Sequence, residues 1–249
     1  MDIRRNIKMV VAYQGTRYCG WQRQKDVSTV QGTIEDVLGE VVGKAVRIQG
    51  ASRTDGGVHA EGQVANFYVE DCSIPAEAFA EILNGRLPSD IAVRESSLVA
   101  DNFHSSGDAV CKSYFYRIYN ASTKDVMLFN FRWQVDYPLD VDAMNEAAKF
   151  LIGTHDFCSL SSAKDTRENT VRTILEAEAW RFENEIIFRV RANRFLYLMV
   201  RNIVGTLVEI GRGRWSAEQM AKIIAGRDRR LAGPTAPGHG LCLKKVEYF

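Results

Sequence analysis

The 249-residue sequence holds only five cysteines and four histidines, and neither set is grouped. Cys19, Cys72, Cys111, Cys158 and Cys242 are odd in number, scattered, and include no Cys-x-x-Cys pair. That excludes a disulfide framework and a zinc knuckle and points to a reducing, cytoplasmic setting. His59, His104, His155 and His239 never stand one helical turn apart, so a metal site would need long-range assembly, and no metal is expected. No apolar run approaches the ~20 residues of a membrane span, so no membrane association is expected. The opening MDIRRNIKMVV is basic, but its apolar stretch is soon interrupted by Gln14 and Gly15, which argues against a cleaved signal. A Gly-x-x-x-x-Gly-Lys-Ser/Thr phosphate loop and a Gly-x-Ser-x-Gly elbow are both missing. Gly211-Arg212-Gly213 is only half of a dinucleotide fingerprint, and no cofactor is expected.

The composition, 46% hydrophobic and 25% charged, is that of an ordinary globular protein with room for one large domain or two smaller ones. A net charge of +1 conceals an asymmetry. From Lys164 onward there are 16 Lys and Arg against 10 Asp and Glu, whereas the preceding part carries 16 against 21. The excess is mostly arginine, which suits bidentate phosphate contact, although charge alone fits a solvated face equally well. The near-neutral total favours a shaped site with a local basic surface over a purely electrostatic nucleic-acid binder.

Residues 7–13 read as a strand, and Val30, Ile34, Val37, Leu38, Val41 and Val42 form a core-facing helical stripe capped by Ser28 or Thr29. Short strands are predicted at 45–50 and 62–70, a helix opened by Ser73 and Pro75 runs to about Leu83, and IAVRESSLV returns as a strand. CKSYFYRIYN is an aromatic strand, and Val141, Met144, Ala148 and Leu151 mark a helix stopping at Gly153. TVRTILEAEAWRF and EIIFRVRANRF form a hairpin, 195–210 an apolar helix, Ser216 with Gln219 a capping box, and GLCLKKVEYF a closing strand. Strands interleave with helices in both halves, so the fold class is α+β, divided into 1–105 and 106–249.

The stretch Ser52-Arg53-Thr54-Asp55-Gly56-Gly57-Val58-His59-Ala60 sets a carboxylate on a tight turn. Asp-Gly alone is an ordinary hairpin signal. For chemistry, Asp55 must stay ionised and be aimed, which a guanidinium achieves. Arg53 is two residues away, and Arg201 sits in the apolar helix, where an arginine is costly unless it reaches an anion or snorkels to the surface. Tyr114, Tyr116 and Tyr119 offer rings for stacking on a base, or are half-buried strand residues. Gly20-Trp21-Gln22-Arg23-Gln24 either contacts nucleic acid or packs Trp21 on the core.

Taken together these stretches resemble the tRNA pseudouridine synthase A family over nearly the whole chain. The matching segments run in family order: YQGTRYCGWQRQ, TVQGTIEDVL, SRTDGGVHA, LNGRLPSDIAVR, KSYFYRIYN, GTHDF, TVRTI, NRFLYLMVRNIVGTL and APGHGLCL. The resemblance implies two similar ferredoxin-like halves around a central, mainly antiparallel sheet with a basic cleft. It implies a homodimer acting on the anticodon arm of tRNA, at positions 38, 39 and 40. It makes Asp55 the catalytic nucleophile, Arg53 the residue that extrudes the target nucleotide, Tyr114 the ring that packs on the uracil, and Arg201 the partner of the carboxylate. Ser52 and Gly56 replace the glycine and alanine common in bacterial members. Phe103-His104-Ser105-Ser106-Gly107 replaces Phe-His-Ala-Arg-Phe, which removes a substrate contact. Two rival readings remain: a hydrolase using Asp55, which would need a second carboxylate, and a non-catalytic RNA-binding protein.

Overall fold

Strand alternation in this sequence is regular enough to set most of the architecture. A computed structural model describes residues 4–249 and divides them into two compact units. The first runs to Val110 and takes in Leu243–Phe249; the second is Cys111–Cys242.

In the first unit, β1 (Arg5–Tyr13) lies between β3 (His59–Val69) and β4 (Ile91–Val99), antiparallel to both, and β2 (Ile48–Gly50) pairs with β3. Ile7, Met9 and Val11 alternate inward and are fully buried, as period-two patterning requires. Helix α1 (Val30–Val42) begins where Thr29 accepts the Gly32 N–H, and it buries Val30, Ile34 and Leu38. Helix α2 (Ala78–Asn84) starts later than its Ser-x-Pro signal, because Pro75 is spent in a turn that accepts the Ala78 N–H.

In the second unit the strand order is β5 (Cys111–Asn120), β9 (Glu185–Ala192), β8 (Val171–Phe182) and β7 (Gly153–Asp156), all antiparallel neighbours. Strand β6 (Trp133–Val135) runs parallel to β5, whereas β10 (Leu241–Glu247), the last strand, falls largely in the first unit. Helix α3 (Val141–Lys149) is capped by Asp140 and fastened to β8 by Asn145, whose amide exchanges two bonds with the Ala179 backbone. Helix α4 (Met199–Gly211) is buried along almost its whole length.

Two further helix starts differ from expectation. Residues 195–198 are not helical: Leu198 takes φ 62°, a left-handed conformation rare for a bulky side chain. Tyr197 donates its N–H to Asp165 and accepts from Ser162, and these ties hold the chain off the helical path. Helix α5 (Gln219–Gly226) has no capping box, since the Ser216 carbonyl rather than its hydroxyl takes the Gln219 N–H.

Candidate active site

The Asp55 turn is clamped from both sides. On one side Tyr13 and Thr54 share a 2.7 Å hydroxyl bond, and the Gln63 amide exchanges two bonds with the Ser52 backbone. On the other, the Trp21 N–H donates to the Thr54 carbonyl (3.0 Å) and the Gly57 N–H to the Tyr18 carbonyl (3.3 Å). Gly20 makes this close approach possible: it has φ 89°, and a Cβ there would stand 2.6 Å from the Thr54 oxygen. Gly57, at φ 76°, closes the turn, and the Val58 N–H returns to the Asp55 carbonyl.

The clamp is anchored on α1. Gln31 accepts from the Gln22 side chain and the Arg23 backbone and donates to Glu35 and the Ile48 carbonyl. Buried Glu35 in turn meets Arg23 (2.7 Å) and Arg47 (3.1 Å). Trp21 is buried against Tyr13, so of its two sequence readings the packing one holds. Buried His59 accepts the Gly15 N–H through Nδ1 (3.0 Å), a structural duty. The effect is a half-buried Asp55 on a turn whose backbone is fixed by main-chain partners, with Arg53 exposed beside it.

Tyr18 reinforces the outer edge. Burial pushes its phenol up to about 12, aided by the hydrogen bond it donates to Asp90 at 2.8 Å. Asp90 itself titrates below the usual carboxylate range: burial opposes this, and the bonds from Arg17 and Tyr18 outweigh it.

Tyr114 and Arg201 belong to the second unit. Tyr114 is buried on β5 with its ring edge-to-face on Phe195, centroids 5.1 Å apart. Arg201 is half-buried in the first turn of α4, where Nε donates to the Ala236 carbonyl (2.7 Å) while the Ala236 N–H donates to the Arg201 carbonyl (3.1 Å). The 229–236 segment is fixed by Arg229, which reaches Asn202 (3.0 Å) and Thr235 (3.2 Å), and by Gly233, whose N–H meets Thr206 Oγ1. Tyr116, fully buried, donates to the Pro237 carbonyl and so serves this same loop.

A family model described as tRNA pseudouridine synthase matches residues 9–106 and 147–249. This chain belongs to that family. The tRNA pseudouridine synthase A of Halalkalibacterium halodurans is 48% identical over 238 residues, covering 95% of this chain and 90% of the relative. Those of Anoxybacillus flavithermus and Acetivibrio thermocellus are 45% and 43% identical, each covering 98% of this chain and 99% and 100% of the relative. A pseudouridine synthase is an isomerase, and the α+β architecture with mainly antiparallel pairing is that expected of the family.

The Phe-His-Ser-Ser-Gly departure has a structural account. His104 Nδ1 accepts the Ser106 and Gly107 N–H groups, the His104 N–H meets Asp108, and buried Ser105 donates to Asn66 and the Gln49 carbonyl. The segment is thus a self-satisfied turn.

Sequence reading passed over Lys112, one residue into β5 and 9% exposed. Burial brings its ammonium down from 10.5 to about 8, with Arg194 and Arg167 adding repulsion. Between those values the unfolded chain keeps a proton that the folded chain has shed, so this group makes stability rise with pH across that window. Below pH 8 the fold carries the charge at a cost of about 3 kcal/mol. In urea titrations at pH 8 and 10.5, Lys112→Met is expected to lack about 3 kcal/mol of the rise shown by the unmodified protein. Equal rises in the two proteins would contradict the assignment.

Proposed function

We propose that this protein isomerises uridine to pseudouridine in the anticodon arm of tRNA, with Asp55 as the catalytic carboxylate and Arg53, Tyr114 and Arg201 as its substrate-handling partners. The observation that carries this reading is the Asp55 turn: a carboxylate on a loop whose Ser52, Thr54 and Gly57 backbone groups are held from outside. That is preorganisation of the kind chemistry needs and a hairpin turn does not.

The reaction breaks the N1–C1′ bond, rotates the uracil and forms a C5–C1′ bond to the same ribose. N1 ends protonated and the C5 proton leaves to water, so no redox change or hydrolysis occurs. A base within a stem must first leave the stack, at a cost of a few kcal/mol. Arg53, exposed beside the turn, fills the vacated space in this proposal. Tyr114 offers a ring already fixed by Phe195. Arg201, oriented through the Ala236 carbonyl, keeps the carboxylate ionised in this proposal. Ionised Asp55 then acts on C1′, on C6 or as a base on the sugar. Recognition of the arm rests on shape and phosphate contacts, within a cytoplasmic homodimer.

The test uses unmodified tRNA transcript carrying tritium at uracil C5. The wild-type protein is expected to release the label to water with no free uracil formed. Release of free uracil instead would assign a hydrolase, and tRNA binding without any release would assign a binding protein.

A further inference from the structure

Most arginines of the second unit are matched to carboxylates. Arg189 meets Glu176 and Glu178 at 3.0 and 2.9 Å, Arg212 and Arg214 share Glu209, Arg227 meets Asp156, and Arg230 meets Asp228. Their charge is accounted for locally.

One end of the β5–β9–β8 sheet gathers cations at all three strands and from a loop. There β5 begins, β9 ends and β8 begins. Register sets Lys112 opposite Ala192, and Ala192 opposite Ile174. Arg172, two residues before Ile174, shares its side of the strand, and Arg194 follows Ala192 by two. The 161–170 loop brings Arg167 to the same end, since Ser162 and Asp165 are both bonded to the Tyr197 backbone. Arg194 and Arg167 lie close enough to Lys112 and to Arg172 to disfavour the charge on those two groups.

The carboxylate inside this group is already committed. Asp165, with a side chain only 5% exposed, bonds Arg167 at 2.9 Å and the Tyr197 N–H at 2.9 Å. The loop's other carboxylate, Glu168, is exposed. Arg172 spends Nη1 on the Asn169 and Val171 carbonyls, and its Nε is buried with no hydrogen-bond partner among the described residues. Holding like charges together costs free energy unless an anion joins them. Guanidinium forks match phosphate oxygens in particular.

The cluster also has a fixed relation to the ring on β5. Lys112 and Tyr114 are two apart on one strand and so share a face, and Phe195, next to Arg194, packs on Tyr114. We propose that Lys112, Arg167, Arg172 and Arg194 form a binding site for a phosphodiester group of the RNA strand, next to the nucleotide held at Tyr114. The proposal rests on the tRNA reading above.

Arg167 and Arg194 are exposed, so Arg167→Gln, Arg194→Gln and the double variant can be made without opening the core. Binding of tRNA transcript is measured across a range of KCl concentrations, with Lys149→Gln as a control: Lys149 is an exposed residue paired with Glu146 on α3. Each single variant is expected to weaken binding about tenfold at low salt and to reduce the slope of log K against log salt by about 0.7–0.9, the double variant to reduce it by about twice that, with the control unchanged. A wild-type slope in the double variant would overturn the proposal. So would tight binding of inorganic phosphate that is lost in the same variants, which would assign the cluster to a free anion. Tritium release by the same wild-type preparation keeps the two readings separate. Release with unchanged slopes removes the phosphate site alone, and absence of release removes the enzymatic reading on which it rests.

Discussion

Replacing Asp55 with asparagine is expected to lower isomerisation by at least about 10⁴-fold while tRNA affinity stays within about threefold of wild type. The split follows from how the turn is built. Its backbone is held by Trp21, Tyr18 and Val58 through main-chain bonds, and its flanks by the Tyr13–Thr54 and Gln63–Ser52 bonds. Asparagine is nearly isosteric with aspartate and leaves all of these untouched. What it removes is the negative charge, on which attack or proton abstraction depends. Asp55→Glu separates charge from position, since it keeps the carboxylate but extends it by one methylene. A displacement near 1 Å costs about 10²-fold, so this variant should fall between the other two. Both are read by tritium release and by filter binding on the same tRNA. Wild-type turnover in Asp55→Asn would end the assignment, whatever the binding result.

Several features were legible in the sequence because they rest on local patterning. Apolar and polar residues alternate through 111–120 and 185–192, and both became strands over those residues. Of the two caps the sequence offered for the first helix, Ser28 or Thr29, it is Thr29 that accepts the free N–H. The Asp55 turn was visible too, since its glycines announce a bend. What encloses it was not. Gln31 looks like any helix residue, yet it ties the Gln22 side chain and the Arg23 backbone to α1 through bonds nine and eight residues apart in sequence. Arg201 was recognised as an arginine needing a partner, but its Ala236 carbonyl lies 35 residues onward. Leu198 gave no warning: a leucine promotes helix by propensity, and long-range ties through Tyr197 overrode it. The arginine excess was visible as a number, and only the strand register showed which of these arginines gather around Lys112.

The second large effect concerns Gly205, in the middle of α4. Helix propensity alone makes Gly→Ala a gain of about 0.8–1.0 kcal/mol. The packing reverses the sign. A Cβ at Gly205 would stand 1.6 Å from the Pro234 carbonyl oxygen and 2.8 Å from its carbon, and backbone cannot swing aside as a side-chain tip can. The 233–236 segment must therefore lift from α4. That breaks the Gly233–Thr206 bond (3.0 Å), the Ala236–Arg201 backbone bond (3.1 Å) and the Arg201 Nε–Ala236 bond (2.7 Å). At about 1 kcal/mol for each neutral bond and 1.5–3 for the charged one, and after the propensity gain is subtracted, Gly205→Ala should lose about 3 kcal/mol and roughly 10 °C in Tm. The protein that still folds should isomerise tRNA about 10²-fold more slowly, because the carbonyl that orients Arg201 has moved. Gly39→Ala in α1 supplies the control: there the nearest atom to the new Cβ is the Lys44 carbonyl oxygen at an ordinary 3.6 Å, and the propensity gain should appear. One added methyl group should thus stabilise one helix and destabilise the other, as thermal melts of the two variants would report. A Tm that rises for Gly205→Ala would mean that the 233–236 segment does not press on α4, and the positioning of Arg201 by Ala236 would fall with it.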